Sequence, residues 1–279
     1  MTGNILITGA TGKTGAALVR LFRASQMQVR AATRNPLASG DVRFEWRDQR
    51  SHQPALQGVT SVYLVAPTDA TEHLPIMRPF LETALATGIE RFVLLSASVL
   101  EQGAPMMGEV HAWLADHTSQ WTVLRPSWFM QNFITQHLPS IMAEGAIYTV
   151  TGDGRVPFID ASDIAVVAKK ALTDPDFGFR RAPILTGPET LSYDEVAAAI
   201  SSVTGRPVRH IKLTVEEMVA RYEGFGLPRD YAAVLAGLDQ AIAEGVEDRI
   251  TDDVEKLSGQ KSKDFASFLE ENIGAFSSV

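Results

Sequence analysis

Short runs of apolar, β-favouring residues punctuate the first half of the chain at 4–8, 28–33, 42–46, 61–65, 91–96 and 121–125. Most are nearly unbroken rather than alternating, the pattern of strands covered on both faces. Helix-length segments lie between them. In the first, Thr14, Leu18, Leu21 and Phe22 fall at i, i+4, i+7 and i+8; in the segment before Trp121, Val110, Trp113 and Leu114 make a similar stripe. This alternation predicts an α/β protein with a doubly wound parallel sheet wrapped by helices.

After Phe133 the texture changes. Short strand candidates at 146–150, 156–159, 183–185 and 208–212 mix with helices, and turn signals such as Gly152-Asp153-Gly154 and Gly187-Pro188 become denser. Ile164, Val167, Ala168, Ala171 and Leu172 complete a helical stripe behind the cap candidates Ser162 and Asp163. Ser192 and Glu195 have the spacing of a capping box, and from Val215 onward the chain reads as helices only. No repeat, low-complexity tract or long linker intervenes. The pattern therefore predicts a main domain over 1–150 and a smaller α/β part over 151–279 built onto it.

A chain of 279 residues buries enough surface to fold without staples. Its 25 Lys+Arg against 33 Asp+Glu give a net charge of −8, which argues against a nucleic-acid or anionic-membrane surface. With no cysteine, disulfides, thiolate catalysis, iron–sulfur clusters and Cys-type zinc sites are excluded. The six histidines show no HExxH or i, i+4 pairing, so no metal is expected, and no Gly-x-Ser-x-Gly elbow marks a serine hydrolase. Asp160 and Asp163 resemble a carboxylate pair but precede a helix with cap-like spacing. No apolar run approaches a membrane span, and Met1-Thr2-Gly3-Asn4 brings no basic stretch ahead of the first strand. A soluble, cytoplasmic setting is expected.

The most informative stretch is Ile5-Leu6-Ile7-Thr8-Gly9-Ala10-Thr11-Gly12-Lys13-Thr14-Gly15. A buried strand ends, glycines recur at every third position, and a helix begins. Gly9 permits a tight turn, Gly12 lets backbone approach a pyrophosphate, and Gly15 lets helix pack on strand. Thr11, Lys13 and Thr14 complete the candidate phosphate cradle at the positive end of a helix dipole. Gly12-Lys13-Thr14 is no P-loop, because the residue five before Gly12 is Ile7. An NAD-preferring site of this Rossmann type places an acid about 20 residues on; here that place holds Arg34, which suits the 2′-phosphate of NADP. The expected cofactor is NADP(H).

Together, Gly9 to Gly15, Thr33-Arg34-Asn35-Pro36 and the run Trp121 to Phe133 resemble the NmrA-like atypical short-chain dehydrogenases. Phe158-Ile159-Asp160-Ala161-Ser162-Asp163-Ile164-Ala165 and Leu185-Thr186-Gly187-Pro188-Glu189 are similar to that group as well, and within it to the agroclavine/festuclavine dehydrogenase-like branch. The resemblance implies further cofactor contacts at Asp48 and Gln49 near the adenine. It implies others at Val65, Ala66, Pro67 and Ser96 beneath the ribose and nicotinamide, and at Pro126, Ser127 and Trp128 beside the nicotinamide. A substrate pocket is expected from Ser98, Phe129, Met130, Asn132 and Phe133 together with the helices around Met218 to Tyr231.

Most short-chain dehydrogenases use a tyrosine with a lysine four residues later, which lowers the phenol's pKa for proton transfer. Four residues after Tyr63, Tyr148, Tyr193, Tyr222 and Tyr231 stand Pro67, Gly152, Ala197, Gly226 and Leu235, so the pair is absent. Met107 and His111 occupy the corresponding helix positions, which makes His111 the one candidate proton donor. Two functions follow. One is hydride transfer from NAD(P)H to a small activated electrophile, such as an iminium ion, quinone or enone. The other is a non-catalytic NADP(H)-sensing regulator acting on a protein partner.

Overall fold

The computed structural model describes residues 4–276. Along the chain it forms β1 (Asn4–Ile7), α1 (Lys13–Ala24), β2 (Val29–Thr33), β3 (Asp41–Arg43), α2 (His52–Ala55), β4 (Val59–Leu64), α3 (His73–Ala86), β5 (Arg91–Leu95), α4 (Met107–His117) and β6 (Gln120–Pro126). Next come α5 (Leu138–Glu144), β7 (Ala146–Thr149), β8 (Arg155–Val156), α6 (Ala161–Thr173), β9 (Ile184–Leu185), β10 (Leu191–Ser192), α7 (Tyr193–Thr204) and β11 (Arg209–Lys212). The last elements are α8 (Val215–Gly224), α9 (Arg229–Ala243), α10 (Asp253–Ser258) and α11 (Phe265–Glu271).

These elements fall into two compact units that are interleaved in sequence, not consecutive about residue 150. Unit 1 takes the residues up to Pro126, then Ala161–Leu185 and Asp253–Gln260; unit 2 takes Ser127–Asp160, Thr186–Asp252 and the chain from Lys261. The physical reason is β9, which adds to the edge of the main sheet by pairing Ile184 and Leu185 in parallel with Arg125 and Pro126. Helix α6 belongs there too, packing against α1.

Unit 1 is a seven-stranded parallel sheet in the order β3-β2-β1-β4-β5-β6-β9. The order reverses at β1, which is the crevice where open α/β sheets of the Rossmann kind bind ligands. Ile5, Leu6 and Ile7 of β1 are buried, as the continuous apolar pattern requires. Strand β3 stops at Arg43, short of the expected 42–46, because Phe44 and Trp46 turn into an aromatic cluster with Phe80, at centroid distances of 5.1 and 5.4 Å.

Unit 2 holds the parallel pair β7–β11 and the antiparallel pair β8–β10. The predicted capping box of α7 is present: Glu195 N–H donates to Ser192 Oγ at 3.2 Å, and Ser192 N–H to the Glu195 carboxylate at 2.8 Å. Thr214 and Glu217 form a second one at the start of α8. Strand β8 ends at Val156 rather than 159; Phe158 leaves it to join the unit's core with Phe133, Tyr193 and Phe265. Among the described residues, no helix is long and apolar enough to cross a membrane.

Candidate functional site

In unit 1, the carboxyl end of β1 collects the features that suit a dinucleotide. Gly9 sits at φ +60°, and a Cβ there would lie 2.8 Å from Val65 Cβ. Gly12 N–H donates to the Gly9 carbonyl at 2.9 Å and closes the turn. Gly12 is also the N-cap of α1, brings no side chain to the first turn, and no acid stands in that turn. A Cβ on Gly12 would meet only the Gly9 oxygen, at 3.2 Å, whereas one on Gly15 would run into the Gly9 carbonyl. Gly12 thus leaves an open face and Gly15 serves close packing. The turn is braced from β4: Val65 N–H donates to Thr8 Oγ at 2.7 Å and Tyr63 OH to Thr14 Oγ at 3.1 Å. Thr11 is exposed and Lys13 half-buried, with burial lowering its ammonium pKa. A rigid turn that offers a bare helix N-terminus fits a pyrophosphate.

Arg34 is exposed just past β2 and makes no hydrogen bond or ion pair among the described residues. Arg47 pairs with Asp69 at 2.7 Å and holds its carboxyl low, with Arg34 adding to the same field. Asp48 is occupied: Arg50 donates to it through Nε at 2.8 Å and through its backbone N–H at 3.3 Å, and the guanidinium depresses its pKa. Gln49 is exposed; Val65, Ala66 and Pro67 are half-buried after β4. Ser96 donates its N–H to Leu124 O at 2.8 Å, while its buried Oγ has no partner among the described residues. Ser98 N–H donates to the Pro126 carbonyl at 2.9 Å. Arg125 donates to Ser98 O at 2.6 Å and to Glu101 Oε2 at 3.1 Å.

His111 is buried, 4% exposed, with its ring edge against Trp121 at 4.9 Å between centroids. Neither ring nitrogen has a hydrogen-bond partner among the described residues. Burial pushes its pKa down, and the Arg125 guanidinium pushes it further, against a smaller opposing effect of Glu101. The imidazole is therefore neutral at neutral pH and is a poor general acid.

Unit 2 contains a cavity of about 790 Å³. Trp128, expected beside the nicotinamide, and Asn132, expected in a substrate pocket, both line it, and so do Met218, Tyr222 and Leu227 from the C-terminal helices. Met130 and Phe133 do not: both are core residues, Phe133 packing against Phe158 and Phe265 at 5.1 and 5.3 Å. Phe129 is half-buried and bridges to Ile159. Ser127 is buried and donates to Glu247 Oε2 at 3.1 Å, so its hydroxyl is engaged inside the unit. Sequence reasoning missed Tyr148, Tyr193 and Asp239 on the lining. A signal existed for the last: Ala232, Ala236, Asp239 and Ile242 form the buried stripe of α9, which puts a carboxyl where apolar residues belong.

The glycine turn, the sheet order and the signature after β6 agree with one finding from known proteins: the model of the NmrA-like family matches residues 1–269. The chain belongs to the NmrA-like family. Similar members include the uncharacterized oxidoreductase YesF of Bacillus subtilis, 42% identical over 95% of this chain and 93% of that one. The agroclavine dehydrogenase of Claviceps fusiformis is 38% identical over 96% of both chains. In structure, this NmrA-like chain is similar to the NADPH-dependent quinone oxidoreductase QOR2 of Escherichia coli complexed with NADPH. That likeness has a TM-score of 0.82 and 23% identity over 96% of this chain and 99% of that one.

Proposed function

We propose that this protein is an NADP(H)-dependent oxidoreductase that passes hydride to a small activated electrophile, an iminium ion, quinone or enone. The oxidoreductase class rests on family membership and on relatives named as dehydrogenase and oxidoreductase over nearly the whole chain. The turn from Gly9 to Gly15 would hold the pyrophosphate and Arg34 the 2′-phosphate. Bound there, the nicotinamide supplies the hydride.

The observation that carries the acceptor class is the state of His111. With no Tyr–Lys pair in the sequence, it is the candidate acid at the helix position where that pair would stand, and it is buried and held neutral. A plain ketone leaves an alkoxide that needs a positioned proton donor. An iminium ion needs none, because its nitrogen becomes neutral on accepting hydride, and a quinone gives a stabilised phenolate that water protonates. The remaining work is orientation and water exclusion, for which the aromatic cavity of unit 2 is suited. NADPH consumption is followed spectrophotometrically against a panel of iminium ions, quinones, enones and simple ketones. Turnover is expected with activated acceptors and little with ketones. Efficient ketone reduction refutes the reading; tight NADPH binding with no turnover of any acceptor favours the sensor.

A further inference from the structure

The unit 2 cavity contains one charge that nothing on its walls balances. Of the charged groups that line it, Arg221 and Glu144 satisfy each other at 3.3 Å, and the Arg221 guanidinium also lies 3.8 Å over the Tyr148 ring. Glu144 further accepts the Tyr148 hydroxyl at 2.5 Å. Asp239 has no such arrangement. It is 9% exposed, forms no ion pair among the described residues, and accepts one long hydrogen bond of 3.4 Å from Val150 N–H. A buried carboxylate so poorly satisfied is costly, and burial accordingly pushes its pKa up to about 6. Trp128, Tyr148, Tyr193, Tyr222 and Phe225 line the same cavity; the Tyr148 and Phe225 rings already lie against the Arg221 guanidinium, at 3.8 and 5.4 Å, which leaves Trp128 and Tyr222 as the aromatic walls for a delocalised cation.

We infer that Asp239 is the counter-charge for a cationic ligand, so that the cavity selects planar acceptors carrying a positively charged nitrogen over neutral ones of the same shape. This rests on the reading of the cavity as the acceptor site and narrows its substrate class to the cationic branch. The groups that face Asp239 are phenols, Tyr222 from α8 and Tyr193 from α7, both raised by burial and by Asp239 itself. His137 also lines the cavity. His210 stands behind Tyr193, 5.6 Å ring to ring, and is already held by Thr149 at 2.7 Å and Asp194 at 3.5 Å.

The test compares N-methylquinolinium with its neutral isostere 1-methylnaphthalene, titrated calorimetrically into NADP⁺-loaded protein so that no turnover enters. At pH 8 the cation is expected to bind about tenfold tighter or more. Its affinity falls as pH drops below about 6, where the carboxyl takes up a proton, while the isostere is indifferent to pH. Asp239→Asn is expected to remove both the preference and the pH dependence and to leave the isostere unchanged. Equal binding of the two probes by the unmodified protein overturns the inference, and so does an equal loss of both in Asp239→Asn. A pH dependence that survives in the variant comes from another group and overturns the inference too. If the variant does not fold, the two probes and the pH series on the unmodified protein decide alone. Failure here with activated acceptors still turned over sinks only the cation preference; selective cation binding without turnover of any acceptor sinks the oxidoreductase reading instead.

Discussion

If Asp239 is kept for a ligand, the free protein bears a cost for it, and that cost is measurable. Burial raises this carboxyl from its ordinary 3.8 to about 6. A carboxyl whose folded pKa lies above its unfolded one contributes stability only while protonated, and that contribution is lost as pH rises through the folded value. Above pH 6 the folded protein must ionise Asp239 in place, whereas the unfolded chain ionises freely. The interval from 3.8 to about 6, at 1.36 kcal/mol per pH unit, amounts to about 3 kcal/mol of destabilisation at pH 8. No discount for solvent screening is due, because the residue is 9% exposed. Asp239→Asn keeps the shape and can still accept from Val150 N–H, yet has no charge to bury. The variant is therefore expected to be more stable at pH 8 by about 2–3 kcal/mol, a rise of several degrees in Tm. The gain should shrink between pH 6 and pH 4 and vanish below. Thermal unfolding of both proteins, followed by circular dichroism across pH 4–8, gives the difference directly. A variant no more stable at pH 8, or equally stabilised at pH 8 and pH 4, refutes the argument.

Arg34→Ala should weaken NADPH binding roughly 10–150-fold and leave NADH nearly untouched, with Tm unchanged because the side chain makes no hydrogen bond or ion pair among the described residues; calorimetric titration of both cofactors decides, and an equal loss for both defeats the assignment. Gly12→Val should abolish NADPH binding while lowering Tm modestly, whereas Gly15→Val should fail to fold, since its Cβ meets the Gly9 carbonyl; the reverse order in a thermal melt would misplace the turn. His111→Gln should cost less than the roughly hundredfold expected of an essential general acid, measured as kcat on a quinone. Burial lowers the pKa of His52, His73, His111 and His210, so all four bind protons better in the unfolded chain; in the Asp239→Asn background, where the opposing titration of Asp239 is gone, stability should fall as pH drops below 6.5, and a flat Tm there would contradict it.

The strands of the parallel sheet were legible because they are apolar on both faces, and the turn at Gly9 because glycine spacing there has one mechanical purpose. What failed was depth. An aromatic signature such as Trp128 to Phe133 does not say which ring faces a cavity, and only packing separates Trp128 and Asn132 on the lining from Met130 and Phe133 in the core. His111 reads as a candidate proton donor on a helix, yet its face of α4 meets Trp121. The 150/151 boundary missed because strand pairing between β6 and β9 joins residues some sixty apart, a non-local choice that periodicity does not record.

The interleaving of the two units bears on how this chain can be made and altered. The chain passes from one unit to the other five times. Unit 1 receives its last helix, α10, only at Asp253–Ser258, where Asp253 accepts from Ile184 N–H at 3.0 Å and fastens the edge strand β9. A ribosome that has released the first 126 residues has therefore delivered a sheet without β9 and without α6, the cover over α1. Neither unit corresponds to a single stretch of messenger. Grafting a new cavity from a relative would require replacing two separated segments at once, so a change in what the cavity accepts is reached more readily through point changes on the walls, at positions such as Tyr222, Phe225 and Asp239.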